Sequence, residues 1–317
     1  MDPMTLIGAH AALVAACKTG LLTLLDQAPR TAAQCAETLG LCPRATEQVL
    51  EVLASFEFVE HRAGLYTVGV EAAQVGGLTT IVQMAPLLQK QFDHTHALLL
   101  SGEPLPFMDD SAQQREASYV SSVRGMGTAF AKAAHHLANQ LPLRPSRILD
   151  VGCGTGVWSL AIAESNPKAQ VTGLDLPKVL DAFVQRAKTL NLEGRIETIP
   201  GDMHNVMLTP ERFDLAVIAN VLRLEAPDKA RQLVARVAES VGPEGALLIV
   251  DAIAGGTPEK ERIRATYALH LAVRTGVGRI HPSDQIRDWM AAAGFRNITE
   301  IDCGTSICAA GALLGVR

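Results

Sequence analysis

Between Ala9 and Gly69 apolar residues recur three and four positions apart in LVAACKTGLLTLLDQ, AAQCAETLG and RATEQVLEVLASF, the spacing that gathers them on one face of a helix. Two short extended pieces, FVEHR and LYTVG, follow on either side of Gly64. Three helices and a hairpin are the order of a winged helix, whose second and third helices resemble a helix-turn-helix unit. Residues 72–145 keep the helical spacing in QMAPLLQKQFDHTHALLLSG and SYVSSVRGMGTAFAKAAHHLANQL, with a loop holding Pro104 and Pro106 between them. From Arg147 onward the period changes. Apolar runs RILDVG, QVTGLD, RIETIP, FDLAVIAN and ALLIVDAI alternate with helical stretches WSLAIAES, KVLDAFVQRAKTL and DKARQLVARVAES. That alternation predicts a doubly wound α/β fold with a parallel sheet covered by helices on both faces. The expected division is a winged-helix region over 1–75, a helical linker over 76–145 and the α/β domain over 146–317.

Length and composition narrow the function. A chain of 317 residues exceeds what one core usually organises, and 48% hydrophobic with 19% charged residues suits a compact protein. The net charge of −5 leaves no global positive field for nucleic acid or an anionic membrane. Winged helices often bind DNA, but the candidate recognition helix, Pro43 to Phe56, sets Arg44 against Glu47 and Glu51, which repel phosphate. A DNA-binding regulator is therefore the weaker reading. Six cysteines without a Cys-x-x-Cys pair read as reduced, mostly buried residues. His94, His96, His135 and His136 have no carboxylate arranged with them as a metal triad, so no metal is expected. No apolar stretch reaches the roughly 18 residues that span a bilayer, and no basic segment leads into an apolar run at the N-terminus. The expected location is the cytosol.

The chemistry concentrates at the strand ends. Asp150-Val-Gly-Cys-Gly-Thr-Gly156 stands where the first strand of the α/β domain turns into its first helix. Glycines there let the backbone approach a ligand at the carboxyl ends of the strands. The spacing is G-x-G-x-G, with Val157 where a dinucleotide fingerprint has its last glycine. The carboxylate of Asp150 disfavours a pyrophosphate and suits the cationic amino group of a methionine tail. Asp175, closing the second strand in GLDLP, can accept from both ribose hydroxyls. Asp202, closing the third strand in PGDMH, can accept from an adenine amino group while Met203 lies against the ring. The competing reading is that each aspartate only caps the helix that follows it.

DVGCGTG, GLDLP, PGDMH and FDLAVIANVL, preceded by a winged-helix region and a helical linker, resemble the class I S-adenosylmethionine-dependent methyltransferases. The closer resemblance is to the small-molecule O-methyltransferases of plant phenolic and bacterial natural-product pathways, and it extends through TGVGRIHPSDQIRDWMAAAGF. The resemblance implies a Rossmann-like cofactor domain, a winged helix that dimerises the chain, and linker helices that roof a substrate pocket. By that resemblance Asp150, Gly152, Gly154 and Gly156 hold the methionine part of S-adenosylmethionine, Asp175 and Leu176 the ribose, and Gly201, Asp202 and Met203 the adenine. Asn220 lies near the sulfonium, and Met126 and Phe130, one helical turn apart, face the substrate unless they are core residues. The partners implied are a small-molecule acceptor and a second copy of the chain.

One position breaks the family pattern. Members with N-x-L-H after the fourth strand use the histidine to deprotonate a phenol, whereas this chain has Asn220-Val-Leu-Arg223. Arginine stays protonated and cannot be a general base. A later Gly-x-Glu-Arg-Thr motif is here Gly278-Arg-Ile-His-Pro282. Three routes stay open. The acceptor arrives anionic or nucleophilic with Arg223 clamping it; His270 or His281 supplies the base; or the fold serves non-methylating chemistry, as in a cyclase or hydroxylase. The bland alternative for Arg223 is a surface ion pair with Glu225 or Asp228.

Overall fold

A computed structural model describes residues 2–69, 78–105, 112–253, 257–305 and 307–317. The chain divides into two compact units, Met1–His96 and Ala97–Arg317.

The first unit begins with α1 (Pro3–Thr19), whose first turn is capped by the Asp2 side chain accepting from Thr5 N at 3.0 Å. The sequence pattern runs on through LLTLLDQ, but the structure breaks it at Gly20. That residue adopts φ 79°, returns its N–H to Ala16 and Cys17, and turns the chain by 68° into α2 (Leu21–Gln27). Four helices therefore stand where the spacing predicts three. Next come α3 (Ala32–Leu39), opened by a Thr31–Gln34 capping box, and α4 (Pro43–Ser55). The antiparallel hairpin β1 (Val59–Arg62) and β2 (Leu65–Val68) follows. Leu21, Leu22, Leu25, Leu50 and Leu53 form its core together with Ile81 of α5 (Leu78–Phe92).

The division falls within α6 (Thr95–Ser101), and the second unit continues with α7 (Ala112–Ala129) and α8 (Ala131–Gln140). Its centre is a seven-stranded sheet of order β5-β4-β3-β6-β7-β9-β8. The five strands β3 (Arg147–Val151), β4 (Gln170–Asp175), β5 (Ile196–Pro200), β6 (Phe213–Ala219) and β7 (Val241–Ala252) run parallel. The final pair, β8 (Arg296–Ile301) and β9 (Ala310–Val316), joins antiparallel to β7 through β9. Crossover helices are α9 (Val157–Ser165), α10 (Pro177–Thr189) and α11 (Pro227–Glu239), with α12 (Pro258–Arg274) and α13 (Ser283–Ala292) after β7.

Alternate residues of each strand feed opposite layers. Ile148, Val171, Val217 and Leu248 pack beneath α8, α9 and α10, while Leu149, Ala216, Ile218 and Ile249 pack beneath α11 and α13. Both faces are covered, which is why these strands read as near-continuous apolar runs rather than strict alternations. No single described helix is long and apolar enough to cross a membrane.

Phe130 belongs to this core. It is 1% exposed at the break between α7 and α8, with its ring 5.6 Å from that of Trp158. The expectation that it faces a substrate is corrected by this packing; Met126, one turn earlier, is only partly buried against the same cluster.

Gly173 of β4 tests how tightly the layer is filled, because a Cβ there would stand 2.9 Å from Phe183 and 3.0 Å from Cys153 Sγ. Gly173→Ala is expected to lower stability by about 1–3 kcal/mol through overpacking. Urea denaturation measures it; an unchanged midpoint would show that the Phe183 layer yields freely.

Candidate functional site

The sheet has one edge where polar side chains converge. Read across β5, β4, β3, β6 and β7, the residues at or just beyond the carboxyl ends are Asp202, Asp175, Asp150, Asn220 and Asp251. Behind them the central strands are mostly apolar and buried, as in Ile148 and Leu149 of β3, Val171 and Leu174 of β4, Leu215 to Ile218 of β6 and Ala246 to Val250 of β7.

The loop after β3 is held by backbone. Gly152 N and Cys153 N both donate to Leu174 O, at 2.8 and 3.1 Å. Gly152 has φ 67°, and a Cβ on it would come within 2.6 Å of Val221 Cγ2, so the loop can lie this close to the end of β6 only with glycine there. Gly154 and Gly156 share the left-handed backbone. Gly154 N donates to Asp175 Oδ2 at 2.8 Å and Leu176 N to Asp175 Oδ1 at 2.7 Å, so Asp175 ties the glycine loop to the start of α10.

Asp150 is 2% exposed. Its Oδ2 accepts from Ser159 Oγ at 2.5 Å, while Oδ1 is closed off without a hydrogen-bond partner among the described residues. Burial pushes its carboxyl up to about 7; Ser159 opposes the rise and the nearby Asp175 adds to it. Asp175 is raised too, chiefly by burial, against its two backbone donors. Neither aspartate caps a helix, because α9 and α10 begin without a side-chain cap. Two desolvated carboxylates, one with a bare oxygen, make a receptor for a cationic or hydroxyl-bearing group, which fits the amino group and ribose of S-adenosylmethionine.

Asp202 is the exception, since its Oδ1 accepts from His204 N at 2.8 Å and so closes its own turn. Gly201 N donates to Asp175 O at 3.0 Å, drawing the β5 loop against β4, and Met203 packs partly buried beside it. The sequence reading missed three groups here. Ser159 and Glu116 are two; Glu116 accepts from Lys178 N at 2.8 Å at the start of α10. The third, Asp251, was legible by the same signal as Asp150 and Asp175: an apolar strand ending in an acid.

Asn220 stands just past β6 in the left-handed region, φ 61°, with its N–H on Val250 O at 2.7 Å. Its Oδ1 accepts from Arg223 Nη1 at 2.5 Å. Arg223 is 3% exposed and bonds Asp251 from both its backbone N and its Nη1, each at 3.2 Å. The surface pairing with Glu225 or Asp228 is thus overturned: Glu225 faces His204 and Asp228 faces Arg231. Burial pulls the Arg223 pKa down, but the Asp251 carboxylate bonded to it opposes this, and the value stays above the ordinary guanidinium range. The guanidinium lies over the Tyr267 ring, 5.2 Å from its centroid.

His270 lies on α12 with its ring 5.6 Å from that of Tyr267. Burial, then Arg274 and Arg223, drive its pKa down to about 3, leaving it a weak proton acceptor. His281 is 2% exposed, its Nε2 is 2.9 Å from Leu222 O, and its ring meets the edge of Trp289. No group of three metal-ligating side chains occurs among the described residues.

The chain is similar to proteins of known family. The family description "O-methyltransferase domain" matches residues 110–296. Demethylspheroidene O-methyltransferase of Cereibacter sphaeroides is 25% identical over 300 residues, 88% of this chain and 76% of that one. The 3-hydroxy-5-methyl-1-naphthoate 3-O-methyltransferase of Streptomyces sahachiroi is 25% identical, covering 91% and 86% of the two chains. The structure of human N-acetylserotonin methyltransferase in complex with S-adenosylmethionine superposes with a TM-score of 0.77 at 20% identity, covering 97% and 93%.

Because the folded state raises the Asp150 pKa, that state binds the proton more tightly than the unfolded chain does. Stability is then lost as pH rises from about 4 to the folded value of about 7. Asp150→Asn, which still accepts from Ser159, is expected to gain stability relative to the ligand-free parent on going from pH 5 to pH 8, by an amount of order 3 kcal/mol. Thermal melts at the two pH values measure this, and a pH-independent difference would place a counter-charge beside Asp150.

Proposed function

The chain belongs to the O-methyltransferase domain family, and from that premise we propose that it methylates an oxygen of a small, natural-product-type acceptor, using S-adenosylmethionine. The observation that carries the reading is the row of polar strand ends, above all the bare, buried Oδ1 of Asp150.

S-adenosylmethionine brings a methyl group on a sulfonium; the acceptor oxygen forms the new O–C bond as the S–C bond breaks, and the pair of electrons leaves with a neutral thioether. In this reading Asp150 takes the amino group of the methionine tail, with the backbone of Gly152, Gly154 and Gly156 close along it. Asp175 accepts from the ribose hydroxyls while Leu176 packs beside them, and Gly201, Asp202 and Met203 receive the adenine. Asn220 stands next to the transfer point, with Arg223 donating to its Oδ1.

Arg223 replaces the usual histidine with a charge rather than a base. A fixed cation beside the transfer point lowers the cost of an acceptor oxyanion, so the proton leaves to solvent before the transfer and alignment supplies much of the rate. His270, held near 3, is assigned no proton in this reading, although it shares the cluster with Arg223. Met126 remains the candidate acceptor contact on α7.

The N-terminal helices and hairpin are read as a winged-helix dimerisation module. Met4, Leu6 and Ile7 of α1 are 82%, 61% and 68% exposed, an apolar face that a second copy would cover. A cytoplasmic homodimer that binds neither nucleic acid nor membrane is the corresponding whole.

Two measurements test the reading. In calorimetry, Asp175→Ala is expected to weaken S-adenosylhomocysteine binding by about tenfold or more, and unaltered affinity would remove the ribose assignment. Light scattering of the whole protein at micromolar concentration is expected to return twice the chain mass; a monomer would remove the dimer.

A further inference from the structure

The charges gathered at the ends of β6 and β7 do not cancel. Asp251 is committed to Arg223, through both the backbone N and Nη1. A second guanidinium enters the same cluster from Arg274, the last residue of α12, one turn beyond His270 and two beyond Tyr267. The helix end is fixed there: Val273 O accepts from Leu105 N at 2.8 Å, and in the loop that follows, Arg279 N donates to Arg223 O at 2.9 Å. Gly278 sits so close that a Cβ on it would be 2.9 Å from that same Arg223 oxygen.

Arg274 is partly buried, and its Nε is closed off with no hydrogen-bond partner among the described residues. No ion pair of Arg274 occurs among those residues either, whereas Arg223 has Asp251. Tyr267, Cys308 and His270, titratable groups of the cluster besides Asp251, add no negative charge at neutral pH. Burial raises the Tyr267 pKa to about 12, and it raises the Cys308 thiol as well. Burial and the two arginines keep His270 neutral. Burial also lowers Arg274, but a guanidinium does not give up its proton in a protein, so among the described residues the cluster holds one uncompensated positive charge.

We propose that the acceptor carries a carboxylate, and that Arg274 binds it through its free Nε edge while Arg223 stays with Asp251 and Asn220 beside the transfer point. This rests on the methyltransferase reading and narrows it to one substrate class. A planar carboxylate matches the guanidinium fork with two parallel hydrogen bonds, which a neutral carbonyl cannot equal. The division of labour follows from geometry: an arginine already held by an aspartate is a positioning residue, and the unpaired one is free to read the ligand.

The test uses the full-length protein saturated with S-adenosylhomocysteine and titrated calorimetrically with ortho-, meta- and para-hydroxybenzoate and with the matching hydroxybenzamides. For at least one isomer the acid is expected to bind about tenfold or more tightly than its amide. Arg274→Gln should erase that preference and Arg274→Lys restore part of it, with S-adenosylhomocysteine affinity unchanged in both. Three results overturn the proposal. They are no acid preference in the parent protein, a preference that survives in Arg274→Gln, and loss of S-adenosylhomocysteine binding in both variants, which would mark a merely structural arginine. A parent protein that fails to bind S-adenosylhomocysteine at all overturns instead the methyltransferase reading on which the proposal stands.

Discussion

The middle of a parallel sheet covered on both faces leaves little room for polar side chains, because each such group loses water and must regain a partner there. The place left for them is the carboxyl end, where the chain turns away from the sheet. In this protein that constraint lines up Asp202, Asp175, Asp150, Asn220 and Asp251 across five neighbouring strands. The site is what remains when the two apolar layers have been filled, and its precision derives from them: Val221 against Gly152 and Phe183 against Gly156 set how close the loops come.

Within that edge the electrostatics divide into two halves. On the side of β3 and β4, Asp150 and Asp175 are desolvated acids with too few donors, a pocket that favours a positive ligand. On the side of β6 and β7, Arg223 and Arg274 outnumber Asp251 and favour a negative one. The proposed sulfonium donor and anionic acceptor have complementary needs, and each matches one of these two halves. The buried Arg223–Asp251 pair is poor evidence for stability in itself, since desolving two ions offsets most of their attraction. What it does is hold a guanidinium in one orientation against Asn220, where a titrating histidine would otherwise stand.

The chain's own pattern already disclosed the α/β alternation, the glycine loop and the acids at the ends of β3 and β4, because each is written in contiguous residues. Strand ends are also legible when an acid follows an apolar run, and Asp251 in LLIVDAI carried that signal unheeded. Other features depended on residues far apart in sequence. Gly20 ended a helix that the spacing alone continues, since local αL geometry there was stronger than the apolar period. Phe130 had the spacing of a pocket residue yet was claimed by Trp158.

Sequence by itself determined the fold class and the family and singled out the glycine loop and the acids at the strand ends, because periodicity and short motifs depend only on neighbours along the chain. The tertiary structure alone decided that Arg223 pairs with Asp251 rather than with Glu225 or Asp228, that burial beside two arginines lowers the His270 pKa, and that Arg274 shares the cluster with no ion pair among the described residues. The reason is physical: charge, burial and pKa are set by what folding brings within a few ångströms, and Arg223 and Asp251 lie 28 residues apart in the chain.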